Sequence, residues 1–477
     1  MAHTRILQAR LRLDDPHNCT DVNDTLTVLE ALYDALVRRD ETAGFAPALA
    51  TGWEVSAEGR VWLFHLRDGV RFHDGAPLDA GAVIASLTRM ARPDMGVTLG
   101  APGVYSQYLT GAAFEAPTPS SVRIVLAEPM ADLLDLLVYG YIVAPSVLDN
   151  PLARPCGTGP YIFERAGEDF FRARANADHF DGPPSHEGIE WRKITSAEDR
   201  LAALENGKAE VANTLPSGVD PAGATAQTYL SPTTIIYLFN AASGPLRDGR
   251  IRRALNLALD RAALVDDVLG GAGAPLYGFL SPAHVGYRAE DHPAPRPEEA
   301  RALLREAGVE GGLTLDVDCP TSLPNEAEAL TAAIAAQLAP FGVTLNVKIH
   351  EGREAYAHRV RRSEIADLCV FDSSPLSTFR VLCEKIDSRV QGSWWLGYAN
   401  PAVEKLIDRA RVTTGDTARE KIFRECHGLL REDPPWLFVY NNLRRVALRG
   451  RHPDWRMRRD GVLDVRRLPR IEGAGDG

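Results

Sequence analysis

Apolar positions along this chain recur at two spacings, and the alternation between them lays out a mixed α/β protein. In "RVWLFHLR" (60–67), Val61, Leu63 and His65 alternate with Trp62, Phe64 and Leu66, the period of two of a half-covered strand. Asp68-Gly69 turns the chain, "VRF" (70–72) is expected to return as a second strand, and Asp74-Gly75 turns it again. A helix capped by Asp79 and striped by Val83, Leu87 and Met90 should follow. Upstream, "ILQARLRL" reads as an opening strand. "NDTLTVLEALYDALVRR" switches to helical spacing, with Leu26, Leu29, Tyr33, Leu36 and Val37 on one face and Asn23 or Asp24 as cap.

The same reading continues downstream. "SAEDRLAALENGKAEVA" is a helix from Ser196 to Asn206, closed by Gly207 and followed by a short strand. "TTIIYLFN" is a β-branched and aromatic strand. "DGRIRRALNLALDRAALVDDVLGG" is one long amphipathic region, striped by Ile251, Leu255 and Leu259 and ended by Gly270-Gly271. "RPEEARALLREAG" places Pro297 in the first helical turn and Gly308 past the last. "LTLDVDC", "NEAEALTAAIAAQLAPFG" and "VTLNVKI" form a β-α-β unit, which implies a parallel pair. Two late amphipathic helices and a buried strand, "PPWLFVYNN", complete the series.

Size and charge narrow the classes. At 477 residues the chain exceeds one compact core, so two or three globular units are expected. A net charge of −11 argues against general nucleic-acid binding. From 444 to 470, ten arginines face only Asp454, Asp460 and Asp464, as a solvated or internally paired face or as a docking surface for a membrane or partner. No run of eighteen apolar residues is present, and the most apolar stretch, Leu133 to Val147, is broken by Asp135 and Pro145 and reads as core. Six dispersed cysteines suggest buried free thiols; a Cys369–Cys383 bridge is sterically conceivable. The start, "MAHTRILQARLRLDD", lacks an apolar signal region, so either an export signal has been removed or the protein is cytosolic.

Chemistry finds little foothold. "LFHLRDGVRFHDG" puts His65, His73 and Asp74 close together, a composition that metal hydrolases use. A strand–turn–strand pattern separates them, and no further ligand is nominated, so scaffold is the expected role. "CGTGPY" sets Cys156 beside two glycines, but turn geometry explains the motif better than a nucleophile. "GGAGAP" follows a helix, where phosphate cradles do not sit. No nucleophile elbow or paired-histidine metal helix occurs. No catalytic residue, metal or cofactor is expected. Tyr105, Tyr108, Phe371, Trp394, Trp395 and Tyr398 lie in segments rich in small polar residues and are either cleft-lining aromatics or ordinary core.

The ordered motifs resemble the peptide/nickel class (family 5, cluster C) of ABC-transporter solute-binding proteins. The resemblance rests on "LDDPHNCTDVNDTLTVLEALYDALV", "PALATGWEVSAEGRVWLFHLRDGVRFHDGAPLDAGAVIASLTRM", "CGTGPYIF", "FNAASGPLRDGRIRRALNLALDRAALVDDVLGGAGAP", "YANPAVEKLIDRAR" and "LREDPPWLFVY", from about residue 10 to 445. It implies an α/β, periplasmic-binding-protein-like hinge fold of two lobes (class II type) with an additional inserted subdomain. Lobe I would comprise 1–32, 151–233 and 442–477, the inserted subdomain II 33–150, and lobe III 234–441.

Closure of the lobes over a small-molecule or peptide ligand, and delivery to an ABC permease, is the implied function, without nucleic acid and as a monomer. Location would be periplasmic if an export signal has been removed, and cytoplasmic otherwise. Ligand contacts implied by position are Thr20, Asp21, Val22, Tyr105, Tyr108, Asn240, Phe371, Asp372, Ser373, Trp394 and Trp395, with His17, His358 and Arg359 as further polar candidates. Peptide carriers of the class place an aspartate four residues before the proline of the last segment; here Phe371 stands there and Asp372 one position later. A one-residue shift in a strand reverses the side chain's facing. The guest is therefore open between a peptide and an opine-like conjugate, sugar-containing compound or metal chelate. A cytosolic sensor of the same fold is the alternative, and a metal hydrolase on His65, His73 and Asp74 the third reading.

Overall fold

The computed structural model describes residues 3–18, 22–40, 44–56, 58–96, 103–289, 294–309, 311–322, 324–373, 375–392 and 395–471. These fall into two compact units, one running to residue 229 and resuming at 444, the other spanning 230–443. The chain passes from one unit to the other within two long strands, Ala224–Phe239 and Trp436–Arg449.

In the first unit, strand Thr4–Gln8 lies parallel to Gly188–Lys193 on one side and Val211–Asn213 on the other. Gly188–Lys193 then pairs antiparallel with Phe170–Ala175, and that strand with Tyr161–Ala166. Period-two alternation turns Ile6, Trp191 and Phe171 to the same buried face. Helix Asn23–Leu32 is almost wholly buried.

Its boundaries differ from the sequence expectation at both ends. Val22 occupies the cap position, because Asn23 donates to the Gly461 carbonyl at 2.7 Å and Asp24 accepts from the Arg10 amide at 3.3 Å, both tertiary uses. At the far end the Leu32 carbonyl accepts the Gly159 amide at 3.0 Å, so Tyr33 turns extended and Leu36 and Val37 leave the helix.

A second sheet of this unit runs Ala50–Val55, Val61–Leu66, Ser121–Val125, Ala113–Thr118, all antiparallel. Trp62, Phe64 and Leu66 are buried, as their alternation requires. The return strand expected at 70–72 is reduced to a bridge between Arg71 and Pro77. Helix Ala80–Met90 follows, and its cap Asp79 accepts the Ala82 amide at 2.9 Å.

The second unit contains the expected parallel β-α-β unit: Leu313–Pro320, helix Ala327–Leu338 and Val343–His350. Strand Leu368–Ser373 lies parallel to the first of these and antiparallel to Ala224–Phe239. Leu315, Val317, Ile334, Val370 and Val439 meet in the core. The long amphipathic region divides into Gly249–Ala258 and Arg261–Leu269, because Asp260 starts the second helix by accepting the Ala263 amide at 3.0 Å. The five described cysteines are free and buried, so no Cys369–Cys383 bridge forms.

Candidate functional site

His73 and Asp74 act on loops of the first unit. The Gly157 amide donates to His73 Nδ1 at 3.4 Å, and His73 Nε2–H donates to the Gly159 carbonyl at 2.9 Å, which fixes the tautomer. Burial depresses the His73 pKa, so the ring that clasps this loop is neutral. Asp74 accepts the Ala76 amide at 3.0 Å and the Ser146 hydroxyl at 2.5 Å. His65 pairs with Glu54 on an exposed strand. The stretch is scaffold.

The Gly-Thr-Gly loop it holds abuts Leu32 and Tyr33. A Cβ on Gly157 would lie 2.4 Å from the Leu32 oxygen, and one on Gly159 would lie 2.4 Å from the Leu32 carbonyl carbon. Neither glycine has a positive φ, so close approach, rather than turn geometry, requires them. Between them Thr158 donates to Asp34 at 2.9 Å, and His179 Nε2 lies 3.3 Å from the same carboxylate oxygen. Burial works to raise the Asp34 pKa, but these contacts outweigh it and hold the carboxyl below its usual range. Burial pushes the Cys156 thiol up to about 11, the reverse of what a nucleophile requires.

The segment Asp14–Asn18, which leads toward the expected ligand contacts, is pinned by an arginine that the sequence reading passed over. Arg89 grips both oxygens of Asp15 and also donates to His17 Nδ1. His17, a polar ligand-contact candidate by sequence, is fully buried. Thr20, Asp21 and Trp394 lie outside the described residues. Val22 is 42% exposed at the start of its helix. Tyr105 is buried on the short helix Val104–Leu109, its hydroxyl donating to the Tyr139 carbonyl at 2.5 Å, and Tyr108 is half-buried beside it.

In the second unit, Phe371, Asp372 and Ser373 close strand Leu368–Ser373. Phe371 is buried and stacks on Tyr356, with ring centroids 6.2 Å apart. Asp372 faces the other way and pairs with Arg353 at 3.3 Å. The Ser373 carbonyl accepts the Thr234 hydroxyl at 2.9 Å. Just beyond, the Ser281 amide donates to His284 Nδ1 at 3.1 Å, and His284 Nε2–H donates to the Pro375 carbonyl at 3.0 Å. The segment is thus fixed from two sides.

Asn240 is not brought to this place. It follows Phe239, which pairs with Leu368 at the opposite end of the strand, and its side chain donates to Ala366 and accepts from Ala242. Trp395 donates its indole N–H to the Tyr398 carbonyl. His358 lies 4.0 Å from Glu354, and Arg359 donates to the Glu364 carbonyl at 3.0 Å. Among the described residues no cluster of three or more histidine, cysteine or acidic side chains is placed to hold a metal ion.

Residues 44–373 match the family described as bacterial extracellular solute-binding proteins, family 5. The chain belongs to this family. Its relatives include the glutathione-binding protein GsiB of Salmonella typhimurium, 26% identical over 447 residues that cover 89% of this chain and 85% of the relative. Among solved structures, HbpA2 from Haemophilus parasuis superposes with a TM-score of 0.82 at 22% identity, covering 96% of this chain and 98% of its own. The oligopeptide-binding protein AppA from Bacillus subtilis, in complex with a nonapeptide, gives 0.77 at 19% identity over 98% and 99%. The fold is that of the periplasmic solute-binding proteins, and the chain is a family 5 solute-binding protein of the ABC-importer class.

In this family 5 solute-binding protein four of the histidines hold loops in place. His17, His73, His179 and His284 each lock a loop through a main-chain or carboxylate contact, and all are buried or nearly so. The partners are remote in sequence, as with His284 and Pro375, so no local spacing announces them.

Proposed function

We propose that this solute-binding protein captures a peptide-like small solute outside the cytoplasm and delivers it to an ABC permease, without chemistry on the guest and as a monomer. The three-part lobe organisation and capture by hinge closure come with the family resemblance. A guest shifts an open–closed equilibrium only by its differential affinity for the two states. The proposed contacts are Thr20, Asp21, Val22, Tyr105 and Tyr108 in the first unit, and Asp372, Ser373, Trp394 and Trp395 in the second.

The guest class is supported by one observation above the others: Asp372 is matched by Arg353 while Phe371 is packed on Tyr356. That arrangement offers a paired carboxylate–guanidinium edge instead of a lone acid for a free α-amino group. It suits a guest with its own carboxylate and a blocked or displaced amine, of which glutathione, the ligand named for the relative GsiB, is one example.

Thermal unfolding with a panel of glutathione, short peptides, opine conjugates and nickel chelates tests the reading. A guest at one hundred times its Kd should stabilise the protein by about 2.7 kcal/mol. A ligand-free preparation whose midpoint no panel member moves would count against solute capture. Preference for α-linked peptides with a free N-terminal amine over glutathione would refute the guest class alone.

A further inference from the structure

The sheet of the first unit has one buried apolar face and one basic face. On the basic face Arg5 stands beside Glu190, and Glu190 beside Arg172, across the adjacent strands Thr4–Gln8, Gly188–Lys193 and Phe170–Ala175. Helix Ala197–Glu205 covers this face where Leu7, Leu204 and Ala212 pack. Next to that contact lies an open groove of about 510 Å³, lined among others by His3, Arg5, Arg172, Glu190, Arg192 and Lys208.

The charges in this groove do not cancel. Glu190, with its side chain 4% exposed, accepts from the Nε of both Arg172 and Arg192. Glu210 is likewise shared, by Arg5 at 3.4 Å and Arg449 at 3.0 Å. Each carboxylate neutralises one guanidinium of its two, and the exposed Lys208 has no acidic partner among the described residues. Because Glu190 takes the Nε edges, the terminal nitrogens of Arg172 and Arg192 are left for a fork contact with an oxyanion. Both guanidiniums also stand 5.6 Å from the ring centre of Phe170, which holds them on the same side of the groove.

We propose that this groove is an oxyanion site that takes a phosphate group, held by Arg172, Arg192 and Lys208. A phosphate monoester brings about two negative charges and three acceptor oxygens near neutral pH. Those match the two guanidinium edges and one ammonium, and they relieve the repulsion between like charges held together. A soluble phosphate and the phosphomonoester headgroup of phosphatidic acid share this chemistry. Nothing in the site depends on the transport reading.

Two binding arms separate the sources, both with the full chain. One is calorimetric titration with inorganic phosphate; the other is co-sedimentation with vesicles of phosphatidic acid in phosphatidylcholine, against phosphatidylcholine alone. Binding in at least one arm is expected, and Lys208→Glu combined with Arg192→Gln should weaken it at least tenfold with the circular dichroism spectrum and Tm unchanged. Phosphate binding alone assigns a soluble ligand, and vesicle uptake alone assigns the headgroup. Arg192→Lys keeps the charge but loses the fork, and should weaken phosphate several-fold even if the double variant folds poorly. Absence of binding in both arms, or binding that these substitutions leave intact, would overturn the site.

Discussion

Arg89 donates to Nδ1 of His17 across 2.8 Å, and this contact requires a neutral imidazole. Nε2–H of the same ring donates to the Tyr141 carbonyl at 3.1 Å. Burial, and then the Arg89 charge, push the His17 pKa down to about 4. An unfolded histidine titrates near ~6.5. Between those values the unfolded chain binds a proton that the folded chain refuses, so stability is intact above pH ~6.5 and falls on acidification. The loss should approach ~3 kcal/mol once the pH is below the folded value. His17→Gln should lower stability at pH 7.5 yet flatten this slope, as urea midpoints between pH 7.5 and 4 will register. Parallel slopes for the two proteins would remove His17 from the explanation.

The glycine loop makes a sharper steric prediction. Gly157→Ala and Gly159→Ala each drive a Cβ to 2.4 Å from the Leu32 main chain, where neither side can yield without moving the end of the helix. Overpacking of this kind costs about 1–3 kcal/mol or more. Gly69→Ala is the control, because its Cβ meets nothing within 4 Å and the strain comes only from a φ of +74°. Its cost should stay near ~1 kcal/mol. Chemical denaturation should rank both loop variants below the control; equal midpoints would mean that the approach to Leu32 is slack.

The same loop shows where sequence reading stops. Period-two alternation separated Trp62, Phe64 and Leu66 from Val61, Leu63 and His65, because the two faces are set by neighbouring residues of one strand, and the structure buries the first set. The end of the first helix was not legible, because Gly159, far along the chain, takes the Leu32 carbonyl and stops the helix there. The shift between Phe371 and Asp372 was legible as a change of facing, and the structure sends one to Tyr356 and the other to Arg353. Arg89 was not. It follows an apolar stripe as an ordinary helical arginine would, and only the fold brings Asp15 and His17 against it. Asn240 was placed by resemblance, which carries no register, and it lies at the opposite end of the strand from Ser373.

Thiol chemistry tests the burial of both units at once. Burial raises the pKa of all five described cysteines, Cys156 to about 11 and Cys426 to about 12. The thiolate is the reactive species, so these positions should resist iodoacetamide at pH 8 in the native protein and label quickly in denaturant. Peptide mapping by mass spectrometry reads each cysteine separately, which keeps Cys19 out of the comparison. Rapid native labelling of Cys369 or Cys426 would contradict the packing around it.

Arg380 and Glu384 carry the last prediction. They pair at 2.7 Å one helical turn apart, with side chains 3% and 6% exposed. They lie just past the Ser373–Pro375 segment, where a short helix, Thr378–Val381, widens into the π-helical turn Leu382–Ile386. Removing one member of a buried ion pair costs about 3–5 kcal/mol, whereas replacing both by apolar side chains is often neutral. Glu384 is also 4.0 Å from Lys385, so Glu384→Leu should destabilise by about 3 kcal/mol and Arg380→Met added to it should recover part of the loss. A urea double-mutant cycle measures both. If the pair also sets the widened turn, the double variant will regain stability but lose affinity for the guest. Recovery of both would show the pair to be packing and nothing more, and additive losses would show that the two charges do not interact.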